Sequence, residues 1–328
     1  MDSHELAFFS RRSSRRSVLQ TGAAALVGGR LLQSAPTIPR PGAGKLRVAI
    51  FSKHLLFLQG AQLAQAAARM GFDGIDLAVR KGGHVEPSRV KQDLPGLVAI
   101  IRQHGLEVPM LTTDIADTSS ANSENILQCM SELNVRHYRW GGFKYTDDRS
   151  ISAQLDSLKP RVAKLAALNA RYHVCAMYHT HSGLNLVGAP IWDLHELLTG
   201  FDPATVGVNY DIGHATVEGG FGGWIDSFRV TGPYLRGIAV KDFRWQKNAH
   251  GQWRPAWKPL GQGMVNFAEF FQMVAASQFS GPLQLHFEYS LQGADQGMKA
   301  VRNPKEVFTA MARDLRQLRA YLSQAGLA

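Results

Sequence analysis

Residues 61–79 read AQLAQAAARMGFDGIDLAV, and the punctuation within this run decides the fold class. Small and apolar residues recur at helical spacing from Ala61 to Met70, Gly71 stops the helix, and Gly74–Val79 turns to a buried-strand pattern. The same alternation extends in both directions. Upstream, Arg47–Phe51 is an apolar strand; downstream, Pro87–His104 is a helix with proline in its first turn and Gly105 at its end. Strand and helix then follow as Glu107–Thr112 with Ser123–Leu133, His137–Trp140 with Ile151–Leu168, and Tyr172–Tyr178 with Trp192–Leu198. Val206–Tyr210 with Trp224–Val230, Leu235–Val240 with Phe267–Ser277, and Leu283–Phe287 with Pro304–Ser323 complete the series. Eight such units predict an α/β fold, a (β/α)8 TIM barrel, in one domain over residues 45–328. A doubly wound open sheet is the alternative, but the glycine pattern of a dinucleotide fold is missing after the first strand.

The 328-residue chain carries 36 Lys+Arg against 26 Asp+Glu, a net charge of +10. Half of that excess lies in residues 1–45, where six arginines and Lys45 face only Asp2 and Glu5. There Ser14-Arg15-Arg16-Ser17-Val18-Leu19-Gln20 precedes a short apolar run from Thr21 to Leu32, with Ser34-Ala35-Pro36 as a cleavage neighbourhood. Residues 1–44 thus resemble a twin-arginine signal peptide and linker, and predict passage through the twin-arginine (Tat) export machinery to a periplasmic or secreted location. The run is too short to span a bilayer, so no stable membrane insertion is expected. The barrel itself has no Lys/Arg run, which argues against a nucleic-acid partner. Cys129 and Cys175 have no CxxC spacing.

In a barrel of this kind the chemistry sits at the C-terminal ends of the strands. Those ends are rich in histidine. His54, His84, His179, His181, His214 and His286 are six of the twelve in the chain. Strand periodicity puts His179 with His181, and His286 with Glu288, on common faces. Imidazole and carboxylate on a rigid rim suit a divalent Zn, Mn, Co or Fe ion. Lys241 is the acid/base candidate, with a surface ion pair to Asp242 as the plainer alternative. His84, Arg139, Trp140, Lys53 and His54 are expected around a small-molecule carbohydrate substrate. Phe143, Tyr145, Phe243, Trp245, Trp253 and Trp257 are further rim aromatics able to stack on sugar rings. The long insertion from Trp245 to Gly263 is read as a lid or as a plain surface loop.

Five elements together resemble the xylose isomerase-like barrel superfamily, which includes sugar phosphate isomerase/epimerase-like proteins and AP endonuclease family 2. They are Gly71-Phe72-Asp73-Gly74-Ile75-Asp76, Tyr178-His179-Thr180-His181, Asp211-Ile212-Gly213-His214, Val240-Lys241-Asp242, and Gly281-Pro282 followed by His286-Phe287-Glu288. The resemblance implies a metal held by two glutamates, an aspartate and a histidine. Asp211 matches the aspartate, His214 the substrate-facing histidine, and Asp76 a substrate or catalytic carboxylate. His179 stands where a glutamate is usual, either His286 or Glu288 takes the other glutamate position, and Ala239 replaces the usual histidine. A rebuilt set of His179, Asp211, His286 and Glu288 is therefore expected, with Lys241, His214, His181 and Asp76 as catalytic candidates. The resemblance also implies pairing of barrels into a homodimer. The expected activity is that of an exported, metal-dependent isomerase or epimerase that abstracts a proton next to a carbonyl of a sugar or keto-sugar. A keto-glycoside lyase or hydro-lyase, and a catalytically inactive carbohydrate-binding barrel, are the alternatives.

Overall fold

The computed structural model describes residues 44–328. The expected leader lies outside these residues except for Gly44. From Val48 the chain alternates strand and helix: β1 (Val48–Phe51), α1 (Gly60–Met70), β2 (Gly74–Ala78), α2 (Val90–Gln103), β3 (Glu107–Thr112) and α3 (Ser123–Glu132). Then come β4 (His137–Trp140), α4 (Ile151–Tyr172), β5 (Cys175–His179), α5 (Trp192–Leu198), β6 (Val206–Asp211), α6 (Ile212–Gly219) and α7 (Gly223–Thr231). The last part comprises β7 (Leu235–Val240), β8 (Asp242–Lys247), β9 (Trp253–Lys258), α8 (Phe267–Ala276), β10 (Leu283–Leu285) and α9 (Pro304–Gln324). Eight parallel strands close in the order β1-β10-β7-β6-β5-β4-β3-β2. Closure is made by β1 on β10, with Val48 opposite Leu283 and Ile50 opposite Leu285. The expected TIM barrel is the observed fold.

The alternation that defines the strands also separates two cores. Tyr138 donates to Asn169 Oδ1 on α4 at 2.9 Å, and Tyr210 to the Trp224 carbonyl on α7 at 2.8 Å, so these strand positions face the helices. The intervening positions face the barrel axis, where Met110, Cys175 and Met177 form a small apolar layer of their own. Polar residues continue that inner face towards the strand ends. α1 stops where expected: Gly71 takes φ 92°, a left-handed conformation suited to glycine, and its N–H reaches the Ala67 and Ala68 carbonyls.

Three features depart from the sequence reading. Residues 212–219 form an additional helix immediately after β6, where only a loop was expected. The insertion after β7 is not a plain loop but an antiparallel hairpin, β8 on β9, paired from Asp242–Lys258 to Lys247–Trp253. The last barrel strand ends at Leu285, so strand periodicity does not carry from His286 to Glu288. Among the described residues no helix is long and apolar enough to cross a membrane.

Candidate metal centre and active site

The Asp-x-x-His spacing is first of all a helix cap. Asp211 is the N-cap of α6, and its Oδ1 accepts the His214 N–H at 3.0 Å. Oδ2 is thereby left pointing at the barrel mouth. Gly213 lies between them because Lys241 passes so close: a Cβ there would stand 2.7 Å from Lys241 Cγ and 2.9 Å from its carbonyl oxygen. β5 brings His179 inward two residues after Met177, and the end of β10 brings His286 inward two residues after Gln284.

One donor atom each from His179, Asp211 and His286 lies within 4.8 Å of the others, and all three residues are buried. Asp211 Oδ2 and His286 Nε2 are buried without any hydrogen-bond partner. Oδ2 has charge contacts only, 3.2 Å to Lys241 Nζ and 3.5 Å to His179 Nε2, so both atoms are left with unused hydrogen-bonding capacity that a bound group would satisfy. Burial, reinforced by Arg139 beside His179 and by Lys241 beside His286, holds both imidazoles well below their ordinary range, which leaves them neutral. Neutral imidazoles and a carboxylate with free lone pairs are what a divalent ion requires, and two histidines with one carboxylate are a donor set for Zn or Fe(II). The residues present therefore fit a metal.

Glu288, the fourth expected donor, lies outside this set. Its Oε1 is 3.2 Å from Lys241 Nζ, because the chain leaves the strand before His286 and turns the carboxylate towards the lysine. Burial alone would raise the Glu288 carboxyl, but Lys241 and Lys53 together hold it below the usual range, so it is ionised. Lys241 is buried and is not paired with Asp242. Its Nζ lies 2.7 Å from His214 Nε2, and 3.2 Å from Asp211 Oδ2 without hydrogen-bond geometry. The ring of Trp257, on the hairpin, covers the ammonium at 4.4 Å. His214 Nδ1 in turn lies 2.8 Å from Ser182 Oγ, and burial with Lys241 beside it keeps this imidazole neutral. With Lys241 donating to Nε2, the proton of His214 sits on Nδ1 and is given to Ser182. Asp242 instead accepts the N–H groups of Phe243, Gly261, Gly263 and Val265, tying down the base of the hairpin.

The histidine rings run as a chain across the mouth. Centroids are 5.4 Å apart from His286 to His179, 4.6 Å from His179 to His181 and 5.1 Å from His181 to His214. Arg139 closes one side, with Nη2 3.3 Å from His181 Nε2. Because a guanidinium only donates, His181 accepts at Nε2 and gives its Nδ1 proton to the His179 carbonyl, 3.1 Å away. Asp76, fully enclosed on β2, accepts the Thr112 hydroxyl at 2.8 Å, and burial pushes its carboxyl up to about 7. A cavity of about 280 Å³ opens beside His179 and His181. A larger hollow of about 370 Å³ lies at the opposite end of the strands, around Val48, Gly74 and His137.

Three of the expected substrate contacts are placed elsewhere. His54 is wholly buried; its Nε2 accepts the Phe287 N–H at 3.1 Å and its Nδ1 bonds the Ala294 carbonyl at 3.2 Å, so it joins the first and last barrel strands. Trp140 faces the helices and donates to the Ala116 carbonyl at 2.7 Å. His84 bonds the Leu58 carbonyl at 3.2 Å rather than the histidine chain. Of the other rim aromatics Trp257 alone meets the cluster; Phe143 and Phe243 are buried, Tyr145 donates to Asp193, and Trp245 and Trp253 are exposed on the hairpin.

Two residues were missed. Asn209 Nδ2 lies 3.0 Å from His179 Nδ1 and 2.9 Å from Gln284 Oε1, both within the sealed interior. As placed, the Asn209 amide donates to Nδ1; turning both amides over keeps their mutual bonds, gives up the long 3.4 Å bond from Gln284 Nε2 to the Pro282 carbonyl, and makes Asn209 an acceptor for a proton on His179 Nδ1. That leaves Nε2 free to bind a metal. The signal was available: Asn209 and Gln284 stand two residues before Asp211 and His286, on the same strand face.

The family model for the xylose isomerase-like TIM barrel matches residues 64–318. Among solved structures, the chain resembles the 3-keto-D-glucoside 4-epimerase YcjR of E. coli with 13% identity and a TM-score of 0.60, over 84% of this chain and 100% of that one. It resembles the probable 3-DHS dehydratase AsbF of Bacillus anthracis with 18% identity and a TM-score of 0.61, over 83% and 99%. An IolI protein with bound zinc gives 12% identity and a TM-score of 0.65, over 84% and 99%. At these identities the likeness is one of fold. No curated protein matches the sequence.

Proposed function

Because this chain belongs to the xylose isomerase-like TIM barrel family, we propose that it is a metal-dependent enzyme that moves a proton next to the carbonyl of a sugar or keto-sugar, as an isomerase or epimerase. The observation that carries this is a buried His179–Asp211–His286 set with two donor atoms that have no hydrogen-bond partner, walled by Lys241, His214 and Glu288. The zinc in the IolI protein agrees with a metal in this fold.

His179, Asp211 and His286 would hold the ion, which when bound supplies Lewis-acid polarisation of a substrate oxygen. Glu288, ionised and partly open to the mouth, is the group that takes the proton from carbon. Lys241 steadies that carboxylate and, through His214 and Ser182, connects it to the rim by bonds of 2.7 and 2.8 Å. His181, its tautomer held by Arg139, presents a neutral ring to the substrate. Trp257 excludes water from the lysine. Asp76, its carboxyl pushed up to about 7 by burial, is a second carboxyl enclosed on β2 beside Thr112.

The connected Lys241–His214–Ser182 chain favours a lyase as the second reading. One side of the site can then remove a proton and return one to a departing oxygen, as an elimination requires. Incubation with 3-keto-glycosides and free ketoses in deuterated water, followed by NMR, separates the readings. Deuterium exchange with an inverted or shifted carbonyl neighbour marks an epimerase or isomerase; release of the aglycone marks a lyase. Neither change in any substrate supports the inactive carbohydrate-binding barrel. Metal analysis of His179→Ala and Asp211→Ala tests the centre itself, and unchanged metal content in both would remove it. We further propose that residues 1–44 direct export through the twin-arginine machinery. Replacing Arg15 and Arg16 by lysine should then keep the protein in the cytoplasm on fractionation.

A further inference from the structure

At the mouth of the barrel three of the four cations have no direct ion-pair partner among the described residues. Lys241 is matched by Asp211 and Glu288, each at 3.2 Å. Arg139, Lys53 and Arg80 are not matched. Among the described residues none of the three has a carboxylate within ion-pair distance, and the side-chain hydrogen bond of Arg139 goes to the neutral His181 ring. Arg80 and Lys53 lie over the same Phe51 ring, 5.5 and 5.8 Å from its centroid, and that ring packs against His286 at 5.0 Å. The three cations therefore border the candidate metal set on its β1–β2–β4 side. All three are only partly open to solvent. Burial lowers the Lys53 ammonium against the pull of Glu288, and Lys241, Arg80 and Arg139 add to the lowering by repulsion. Like charges gathered in a half-buried pocket without a directly paired carboxylate are costly unless a ligand supplies opposite charge at contact distance. The hairpin over the mouth adds Arg244, Lys247, Arg254 and Lys258 with no acidic residue from Phe243 to Pro259, a field that draws anions inward.

We infer that Arg139, Lys53 and Arg80 form an anion-binding subsite beside the candidate metal centre, and that the substrate is an anionic sugar. The subsite takes the charged oxygens of a sugar carboxylate or phosphate ester. A guanidinium fork and an ammonium suit either, and their placement opposite Lys241 puts the charged end of the substrate away from the proton-transfer wall. The inference deepens the proposed sugar-processing function and rests on it for the identity of the ligand as a sugar. The three unpaired cations themselves do not depend on that activity.

The test is calorimetric titration of the full chain, metal-loaded and chelator-stripped, with D-glucuronate, D-glucose 6-phosphate and D-glucose as probes. At least one anionic probe should bind about tenfold or more tightly than D-glucose in both states. Which anion is preferred distinguishes carboxylate from phosphate ester. Arg139→Met and Lys53→Met should abolish the preference at unchanged metal content and unchanged Tm, while Arg139→Lys should retain part of it. Equal binding of all three probes would overturn the subsite, as would a preference that survives both methionine variants or that exists only with metal present. Loss of metal binding or of all turnover with the anion preference intact would instead remove the proposed reaction and leave the subsite standing.

Discussion

Asp76 shows how a single residue couples burial to pH. Its carboxyl is enclosed on β2; burial lifts it to about 7, against the opposing pull of the Thr112 hydroxyl and of Arg139 and Arg80. Between about pH 4 and pH 7 the folded protein keeps a proton that the unfolded chain has released. The stability associated with that proton is complete below the ordinary carboxylate range and is lost as pH rises through the folded value. Urea unfolding from pH 4.5 to 7.5 should therefore show a falling stability that Asp76→Asn flattens, by up to about 1.4 kcal/mol per pH unit. An identical slope in the variant would refute the assignment. Asn209 makes a different kind of prediction. It positions His179 through a buried amide pair with Gln284, so Asn209→Ala should weaken metal binding by about 10- to 100-fold in a chelator competition titration, with the three donors intact. An unchanged affinity would mean that the amides only pack. Both effects lie beyond what residue type alone announces, since Asn209 reads as an ordinary strand residue until its neighbours are known.

Among the elements, α6 and the β8–β9 hairpin do most to complete the site; the sequence shows the insertion after β7 but not its strands, and it does not show α6. α6 begins on Asp211, so that one carboxylate caps a helix with Oδ1 and faces the site with Oδ2. The motif had been read as the end of a strand, because its cap function needs the chain to turn at Ile212. Gly213→Ala tests this geometry. The added Cβ meets the Lys241 carbonyl oxygen, which cannot yield as a side chain would. It should cost about 1–3 kcal/mol in stability and displace Lys241, seen as a lowered Tm together with a loss of turnover. The hairpin is held at its base by Asp242, which binds four backbone N–H groups. Asp242→Ala should speed hydrogen exchange across residues 243–265 and expose Lys241 by loosening Trp257, while exchange in α1 and α9 stays as it was. Uniformly faster exchange would mean that Asp242 supports the barrel rather than the hairpin.

For the molecule as a whole, everything that closes the barrel lies within the described residues. β1 pairs β10, His54 joins both strands, and the Leu46 N–H reaches the Leu327 carbonyl at 2.8 Å. A chain beginning at Gly44 should keep the Tm and the metal content of the full chain; a drop in either would show that the preceding residues support the fold. The order of the eight strand–helix units was determined by the sequence alone, because each unit announces itself through local rules: apolar periodicity, proline at a helix start, glycine at its end. The histidine-rich mouth was determined in the same way, since strand ends in a barrel share one face. What only the tertiary structure decided was which of those side chains meet. His54 and Trp140 stand at strand ends like the others, yet one is consumed by backbone bonds and the other faces the helices. Glu288, two residues from His286, goes to Lys241 because the strand stops at Leu285. Local sequence sets periodicity over a few residues; convergence of donors from β5, β6 and β10 depends on register and closure around the whole barrel, where contacts are far apart in the chain.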